Sequence, residues 1–194
     1  MKSPFSSILL LLFLWVTQAG GADFTAHSRI VTAGKTSESR FFYAGDRWRM
    51  EERLPKGEYR VSIFRADEKC LYVLWPDKKR YFVQPLPEKE FRVLSTRKPG
   101  EELERVALGQ EKVSGYETTK YRVKYNVQGR TITGIEWFSK NLGIAIKSQA
   151  EDNTWSTEWT NIKEGKLDSG LFEISADYKL LSSKDVLTGP QGRK

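Results

Sequence analysis

The alternation of polar and apolar side chains that decides the fold is clearest in residues 120–138, KYRVKYNVQGRTITGIEWF. Tyrosine and valine occupy the odd positions 121–127, and charged or amide side chains occupy the even positions between them. A period of two is typical of a β-strand with one face toward water and the other toward apolar matter. Gln128-Gly129 reads as a tight turn before a second strand of the same kind. The segment therefore predicts an antiparallel hairpin.

This pattern returns along most of the chain, separated by short turns such as Gly45-Asp46 and Asp152-Asn153. Turns this short join antiparallel neighbours, because a parallel crossover needs a dozen or more residues. The sequence thus predicts two meanders of antiparallel strands. The ten predicted strands are Phe24 to Thr32, Glu38 to Tyr43, Arg47 to Leu54, Glu58 to Arg65, Cys70 to Trp75, Arg80 to Val83, Tyr116 to Val127, Arg130 to Phe138, Gly143 to Ala150 and Thr154 to Ile162.

The stretch between the meanders, residues 84–109, has a different character and contains three prolines. Pro99-Gly100-Glu101-Glu102 resembles a helix start, and Gly109 resembles a helix stop. Leu103, Val106 and Ala107 have the i, i+3, i+4 spacing of one helix face. We therefore predict a short amphipathic helix that crosses the sheet as a lid, with Leu103 and Val106 as its contacts.

The N-terminus has the features of a secretory signal peptide. Lys2 supplies the positive charge, Ile8 to Val16 is an apolar run too short to span a bilayer, and Thr17-Gln18-Ala19 offers small residues for cleavage. Cleavage is expected after Ala19, with Ala22 as the alternative. The predicted organisation is a signal peptide at 1–19, one β domain at 20–187 and a flexible tail at 188–194, in a protein exported to the periplasm and soluble there.

Residues able to support catalysis or metal binding are scarce. The single histidine, His27, and the single cysteine, Cys70, cannot form a His/Cys metal cluster or an intramolecular disulfide. Cys70 lies in an apolar run and is expected to be a buried thiol, while His27 is expected on a sheet face. Acidic pairs such as Glu51 with Glu52 are more typical of solvent-facing positions, so a hydrolase ranks third among the possible functions. We predict a protein that is not an enzyme, with no catalytic residue, metal or cofactor.

The net charge of +7 comes from basic residues scattered singly, a distribution that favours a solvated surface over a nucleic-acid site. Aromatic residues are abundant, with 6 Trp, 8 Tyr and 10 Phe. They either pack as an ordinary core or line a concave apolar cavity. Ten strands and one short helix supply little second-layer material, which favours the cavity.

The predicted fold is mainly β (α+β): a single curved antiparallel sheet that forms an incomplete barrel of about ten strands, with a short helical lid. The predicted ligand-binding residues are those expected on its concave apolar face. They are Trp48, Met50, Val61, Ile63, Tyr72, Leu74, Tyr121, Val123, Ile135 and Trp137.

Several segments, in this order along the chain, resemble the periplasmic lipoprotein carriers of the LolA/LolB type, and more closely the outer-membrane lipoprotein-sorting branch of that superfamily. The segments are Asp46 to Glu51, Gly115 to Glu117, Glu136 to Phe138, Asn141 to Lys147, Trp159 to Gly165 and Leu171 to Ile174. Two features differ from the carriers. A strand pattern replaces their first helix, and Gly45-Asp46 replaces the Arg-Pro pair that latches their lid.

The resemblance implies an incomplete barrel whose concave face accepts acyl chains and which has no catalytic residues. The leading hypothesis is a periplasmic carrier for lipid or lipoprotein acyl chains, of the outer-membrane lipoprotein-sorting type. Its expected partners are those chains and envelope proteins of the inner or outer membrane, and the protein is expected to be a monomer. The alternative is an envelope protein-interaction or stress-sensing module on the same scaffold, without lipid transport.

Overall fold

The computed structural model describes residues 22–88, 90–91, 100–127 and 129–182. The predicted signal peptide with its cleavage site, and the predicted tail at 188–194, lie outside these residues. Strands make up 66% of the structure. Their bounds are β1 Phe24–Thr32, β2 Lys35–Ala44, β3 Arg47–Arg53, β4 Tyr59–Arg65, β5 Cys70–Trp75, β6 Arg80–Pro85, β7 Glu101–Val113, β8 Tyr116–Val127, β9 Arg130–Ser139, β10 Ile144–Ala150, β11 Trp155–Glu164 and β12 Lys179–Leu180.

All twelve strands belong to one sheet, in the order β12-β6-β5-β4-β3-β2-β1-β11-β10-β9-β8-β7. The first meander runs from β1 at the centre to β6, and the second runs from β7 at the opposite edge back to β11. Pairing of β11 with β1 joins them, and every pair is antiparallel except β12 with β6. The ten predicted strands and the single curved, open, mainly antiparallel sheet are therefore confirmed.

The predicted helix over residues 99–109 is wrong, because this region lies in strand β7, which pairs with β8 from Glu101 to Val113. Two register shifts interrupt that ladder and insert Leu103 and Leu108 as extra residues. Such bulges break the period of two and leave apolar residues at spacings that imitate a helix. Leu103 is 52% exposed, so it does not pack as a lid contact, and Val106 is half-buried within the strand.

The connection from β6 to β7 requires the sheet to curve. Ten inter-strand steps separate these strands, a distance of about 48 Å in a flat sheet. The fifteen residues 86–100 reach only about 50 Å when fully extended. Residues 88, 90 and 91 are helical, and the Phe91 N–H donates to Pro87 O at 2.9 Å. The connection is therefore not fully extended and cannot reach across a flat sheet. Leu86 and Phe91 pack on the face that carries Phe64, which is therefore the concave face.

The convex face of the first meander is covered by the C-terminal segment, residues 165–182. Asp168 Oδ1 accepts a hydrogen bond from the Gly170 N–H at 2.9 Å and starts a short 3-10 helix, Ser169–Phe172. The Phe172 side chain is 1% exposed and packs with Phe42, Val61, Ile63 and Leu74. Arg49 Nη1 donates to Leu171 O at 2.9 Å and fixes the segment to β3. We call residues 165–182 the C-terminal strap.

Replacing Phe172 with alanine should lower the free energy of unfolding by about 3–5 kcal/mol, because the strap loses its one fully buried ring. Urea unfolding followed by tryptophan fluorescence measures this change. The matched control is Leu180→Ala in the same segment, where the side chain is 60% exposed and the expected change is within about 0.5 kcal/mol. Equal stability of the two variants would contradict the role given to the strap.

Candidate ligand-binding face

An aromatic row crosses five neighbouring strands on the concave face. The ring centroids of Phe64 and Trp48 are 5.7 Å apart, and those of Trp48 and Phe41 are 5.9 Å apart. The row continues from Phe41 to Trp159 at 4.7 Å and from Trp159 to Phe24 at 5.6 Å. Cross-strand register places these rings side by side, since Ala26 lies opposite Phe41 and Ser28 lies opposite Trp159. Most of these rings are buried, so the row forms the floor of the concave face.

Half-buried apolar side chains surround this floor. Tyr43, Met50, Leu71, Trp159 and Ile162 pack against the buried cluster while keeping part of their surface exposed. Exposed apolar surface of this kind, when contiguous, is a common feature of sites that bind apolar ligands. The aromatic floor and this rim together are called the apolar face below.

The part of the concave face that comes from the second meander ends in a polar network. Glu136 Oε2 accepts from Arg105 Nη2 at 2.9 Å, and Glu136 Oε1 accepts from Tyr125 Oη at 2.7 Å. Arg105 also donates to both carboxylate oxygens of Glu102, at 2.8 and 2.9 Å, and its guanidinium lies 4.8 Å from the Tyr121 ring centroid. The network thus connects β7, β8 and β9.

Both Tyr125 and Arg105 keep their protons in this network. Burial and the hydrogen bond to Glu136 raise the pKa of the Tyr125 hydroxyl, so it remains a donor. The hydrogen bond with Glu102 raises the pKa of Arg105, which burial alone would lower. Because these charged groups already satisfy one another, the network's evident effect is to hold edge strand β7 in place.

Of the ten predicted ligand-binding residues, the structure brings together four on the concave face. Trp48 and Met50 lie in and beside the aromatic row, while Tyr121 and Val123 lie on the same side, next to the polar network. The cross-strand register determines these positions. Residues paired across β1, β11, β10, β9 and β8 lie on the same side of the sheet, so the concave side can be followed from β1 to β8.

The other six lie on the convex face, so the prediction that all ten share one lining is corrected. Val61, Ile63, Tyr72 and Leu74 pack beneath the C-terminal strap. Ile135 and Trp137 alternate with the concave-facing Glu136 along β9 and so point away from its side, although Trp137 belongs to, and Ile135 packs against, the same buried cluster as Trp48. The Trp137 ring contacts two lysines, because Lys120 Nζ lies 4.8 Å and Lys147 Nζ lies 4.9 Å from its centroid.

The physical reason for this error is that a shift of one residue exchanges the two faces of a strand. In β4, four successive residues from Val61 to Phe64 are all buried, so hydrophobicity alone does not identify the concave side. For the same reason, the predicted ligand-binding residues did not include four that form most of the floor: Phe24, Phe41, Phe64 and Trp159. The adjacent pair Phe41-Phe42 was a usable signal, because it shows that both faces of β2 are covered at that point.

Other predicted positions agree with the structure. Cys70 is buried, and its burial raises the pKa of the thiol, while His27 is exposed on β1. Glu51 and Glu52 point to opposite faces, where Arg49 Nε lies 2.8 Å from Glu51 and Arg60 Nη2 lies 2.7 Å from Glu52. These two carboxylates therefore do not form a pair around a common substrate.

Residues 27–144 match the family described as a domain of unknown function, DUF4412. The chain belongs to this family. The match covers more than half of the chain, from the first strand to the start of β10. No curated protein sequence matches the chain.

Three solved structures are similar to this DUF4412 protein at low sequence identity, and of these three MucB has a TM-score above 0.5. MucB is 13% identical, with a TM-score of 0.53 over 82% of this chain and 59% of MucB. PNGF-II is 15% identical, with a TM-score of 0.48 over 87% of this chain and 32% of PNGF-II. The lipoprotein LppX of Mycobacterium tuberculosis is 13% identical, with a TM-score of 0.40 over 70% of this chain and 83% of LppX.

The DUF4412 chain therefore spans about a third of PNGF-II and three fifths of MucB. At a TM-score of 0.53, the likeness to MucB shows a shared fold and nothing finer. Among the residues that the structure describes, no helix is long and apolar enough to cross a membrane. In the same residues, no group of three or more His, Cys, Asp or Glu side chains is placed to hold a metal ion.

Replacing Glu136 with glutamine should loosen edge strand β7, because Arg105 then loses the carboxylate that ties it across β8 to β9. We expect a loss of about 1–3 kcal/mol in unfolding free energy and faster amide exchange in residues 101–113. Urea unfolding and hydrogen–deuterium exchange measure the two effects. Glu101→Gln, which changes an exposed carboxylate on β7 itself, is the control and should leave both the unfolding free energy and the exchange rate unchanged.

Proposed function

We propose that this protein is an exported carrier that binds the acyl chains of a lipid or lipoprotein on its apolar face. The observation that carries the proposal is the half-buried apolar rim around the aromatic floor of a concave, single-layer sheet. A guest chain would contact the rim, since Phe24 and Phe64 are already sealed by their neighbours.

The dimensions and energetics suit such a guest. The aromatic row crosses five strands, which corresponds to about 19 Å, comparable with an extended long-chain acyl group. Each methylene removed from water contributes about 0.8 kcal/mol, so ten of them would contribute about 8 kcal/mol before the cost of ordering the chain. Most of the bordering groups are hydrocarbon or aromatic, and the charged groups of the polar network are paired among themselves.

Native mass spectrometry of protein purified from the periplasm should show a bound lipid. After delipidation, titration with dansyl-labelled undecanoic acid should give saturable fluorescence enhancement. Met50→Gln should weaken the affinity by about tenfold, the effect of losing roughly 1.5 kcal/mol of apolar contact at the rim. Leu180→Gln is the control because it makes the same kind of change at an exposed site on the strap, and it should bind as the unchanged protein does.

Thermal denaturation of both variants separates a binding defect from a folding defect. Finding no co-purified lipid and no uptake would reject the carrier function. If both variants are folded and bind dansyl-labelled undecanoic acid with equal affinity, the apolar face is not the binding site.

A protein-interaction module is the second candidate function, and the free edge of β7 favours it. Leu103 and Leu108 are 52% and 49% exposed on this edge, five residues apart. An exposed sheet edge can accept a strand from another protein, with pockets or apolar contacts giving specificity. MucB, whose fold is similar, has been solved in complex with MucA.

A pull-down from envelope extract distinguishes this candidate from the carrier. If β7 is an interaction edge, the unchanged protein should retain a partner that Leu103→Asp/Leu108→Asp loses. Because both side chains are exposed bulge residues, the double variant should unfold at nearly the same urea concentration as the unchanged protein. Capture of the same proteins by both forms would count against the edge.

A further inference from the structure

A cleft of about 370 Å³ opens in the middle of the sheet, where β1 lies between β2 and β11. Its polar lining comes from Thr25 and His27 on β1, Arg40 on β2, and Asn161 and Lys163 on β11. The apolar part of the lining, which includes Phe41 of the aromatic row, comes from Ala26, Phe41, Phe42 and Ile162. The alternation along β1 places Thr25 and His27 on the side opposite Phe24 and Ala26, which is the convex side.

A β-bulge produces the cleft. The β1–β11 register shifts between Thr25, which lies opposite Lys163, and His27, which lies opposite Thr160. The extra residues on β11 include Asn161, which has a φ of +50°. A left-handed conformation is tolerated best by glycine and asparagine. The bulge bends β11 locally and separates its side chains from those of β1.

The charges around the cleft are of one sign. Arg40 lies directly opposite His27 in the β1–β2 register, and Lys163 lies directly opposite Thr25 in the β1–β11 register. Among the residues that the structure describes, none that lines the cleft is acidic. Arg40 Nη1 lies 3.7 Å from the Glu51 carboxylate, which Arg49 Nε holds more closely at 2.8 Å. Two cations that share one small concavity repel each other, and a bound anion would relieve this repulsion.

Arg40 is also oriented before any ligand arrives. Its guanidinium carbon lies 5.1 Å from the centroid of the Phe42 ring, whose own side chain is buried under the strap. A guanidinium supported by an aromatic face loses less freedom when it binds an oxyanion, and its planar donors match phosphate geometry.

We propose that this cleft binds a phosphate or phosphate-ester group. Arg40 and Lys163 supply the positive charge, while the Thr25 hydroxyl, the Asn161 amide and the His27 imidazole supply hydrogen bonds. The volume exceeds that of a bare phosphate ion and leaves space for an attached group. Phe41 and Ile162 of the apolar face also border the cleft, but its polar groups do not belong to that face. Phosphate binding is measured without an acyl ligand, so its failure is distinguishable from failure of the carrier function.

Isothermal titration of the full chain with sodium phosphate, at ionic strength held constant with sodium chloride, tests the site. Saturable binding is expected, and Arg40→Gln/Lys163→Gln should weaken it by about tenfold or more, the effect of losing charged hydrogen bonds. The control is Lys35→Gln/Lys56→Gln, which removes the same charge at two exposed positions outside the cleft and should bind phosphate normally.

Cosedimentation with phosphatidylcholine vesicles that contain phosphatidylglycerol identifies the source of the phosphate. Vesicle binding that the cleft variant loses and the control keeps assigns the site to a lipid headgroup. Phosphate binding without vesicle binding assigns it to a free phosphate compound, and both outcomes support the proposal. No saturable binding of either probe, or equal losses in the cleft variant and the control, would overturn it.

Discussion

The antiparallel pairing of β1 with β11 is the contact on which the rest of this structure depends. Each meander can form from local hairpins, but neither one alone has the width or curvature of the complete sheet. The pairing joins Phe24–Thr32 to Trp155–Glu164, more than 120 residues apart in sequence. It brings Trp159 beside Phe24 and Phe41, and its register shift creates the cleft around Asn161. The aromatic floor and the basic cleft are thus two sides of the same junction.

Curvature follows from chain length as well as from strand twist. Fifteen residues connect two strands that would lie about 48 Å apart in a flat sheet, so the sheet must bend toward this connection. The connection places Leu86 and Phe91 over Phe64 on the concave face. The C-terminal strap covers the convex face of the first meander, and Phe172 fills its centre. Among the described residues, no helix of seven or more residues covers either face of the sheet.

This arrangement favours binding functions because an open single sheet cannot seal its own concave side. Side chains such as Met50 and Ile162 remain half-buried although they belong to the main cluster. Two acidic side chains on that face are paired with arginine, Glu136 with Arg105 and Glu52 with Arg60. Such pairing limits the cost of keeping charge near an apolar surface. Membership in the DUF4412 family, a domain of unknown function, does not identify a ligand. The proposed function therefore depends on the geometry of the apolar face and on the binding experiments.

The sequence by itself determined the ten main strands, the two antiparallel meanders and the open single-sheet architecture, because period-two patterning and short turns are local properties. Strand β7 was not predicted, because the bulges at Leu103 and Leu108 interrupt the alternation of polar and apolar residues. The strand is recognisable only from its pairing with β8. The tertiary structure alone decided which face of each strand is concave. Where both faces are buried, as at Val61 to Phe64, the residue pattern does not show which side is concave, and only distant partners such as Phe91 and Phe172 distinguish the two faces.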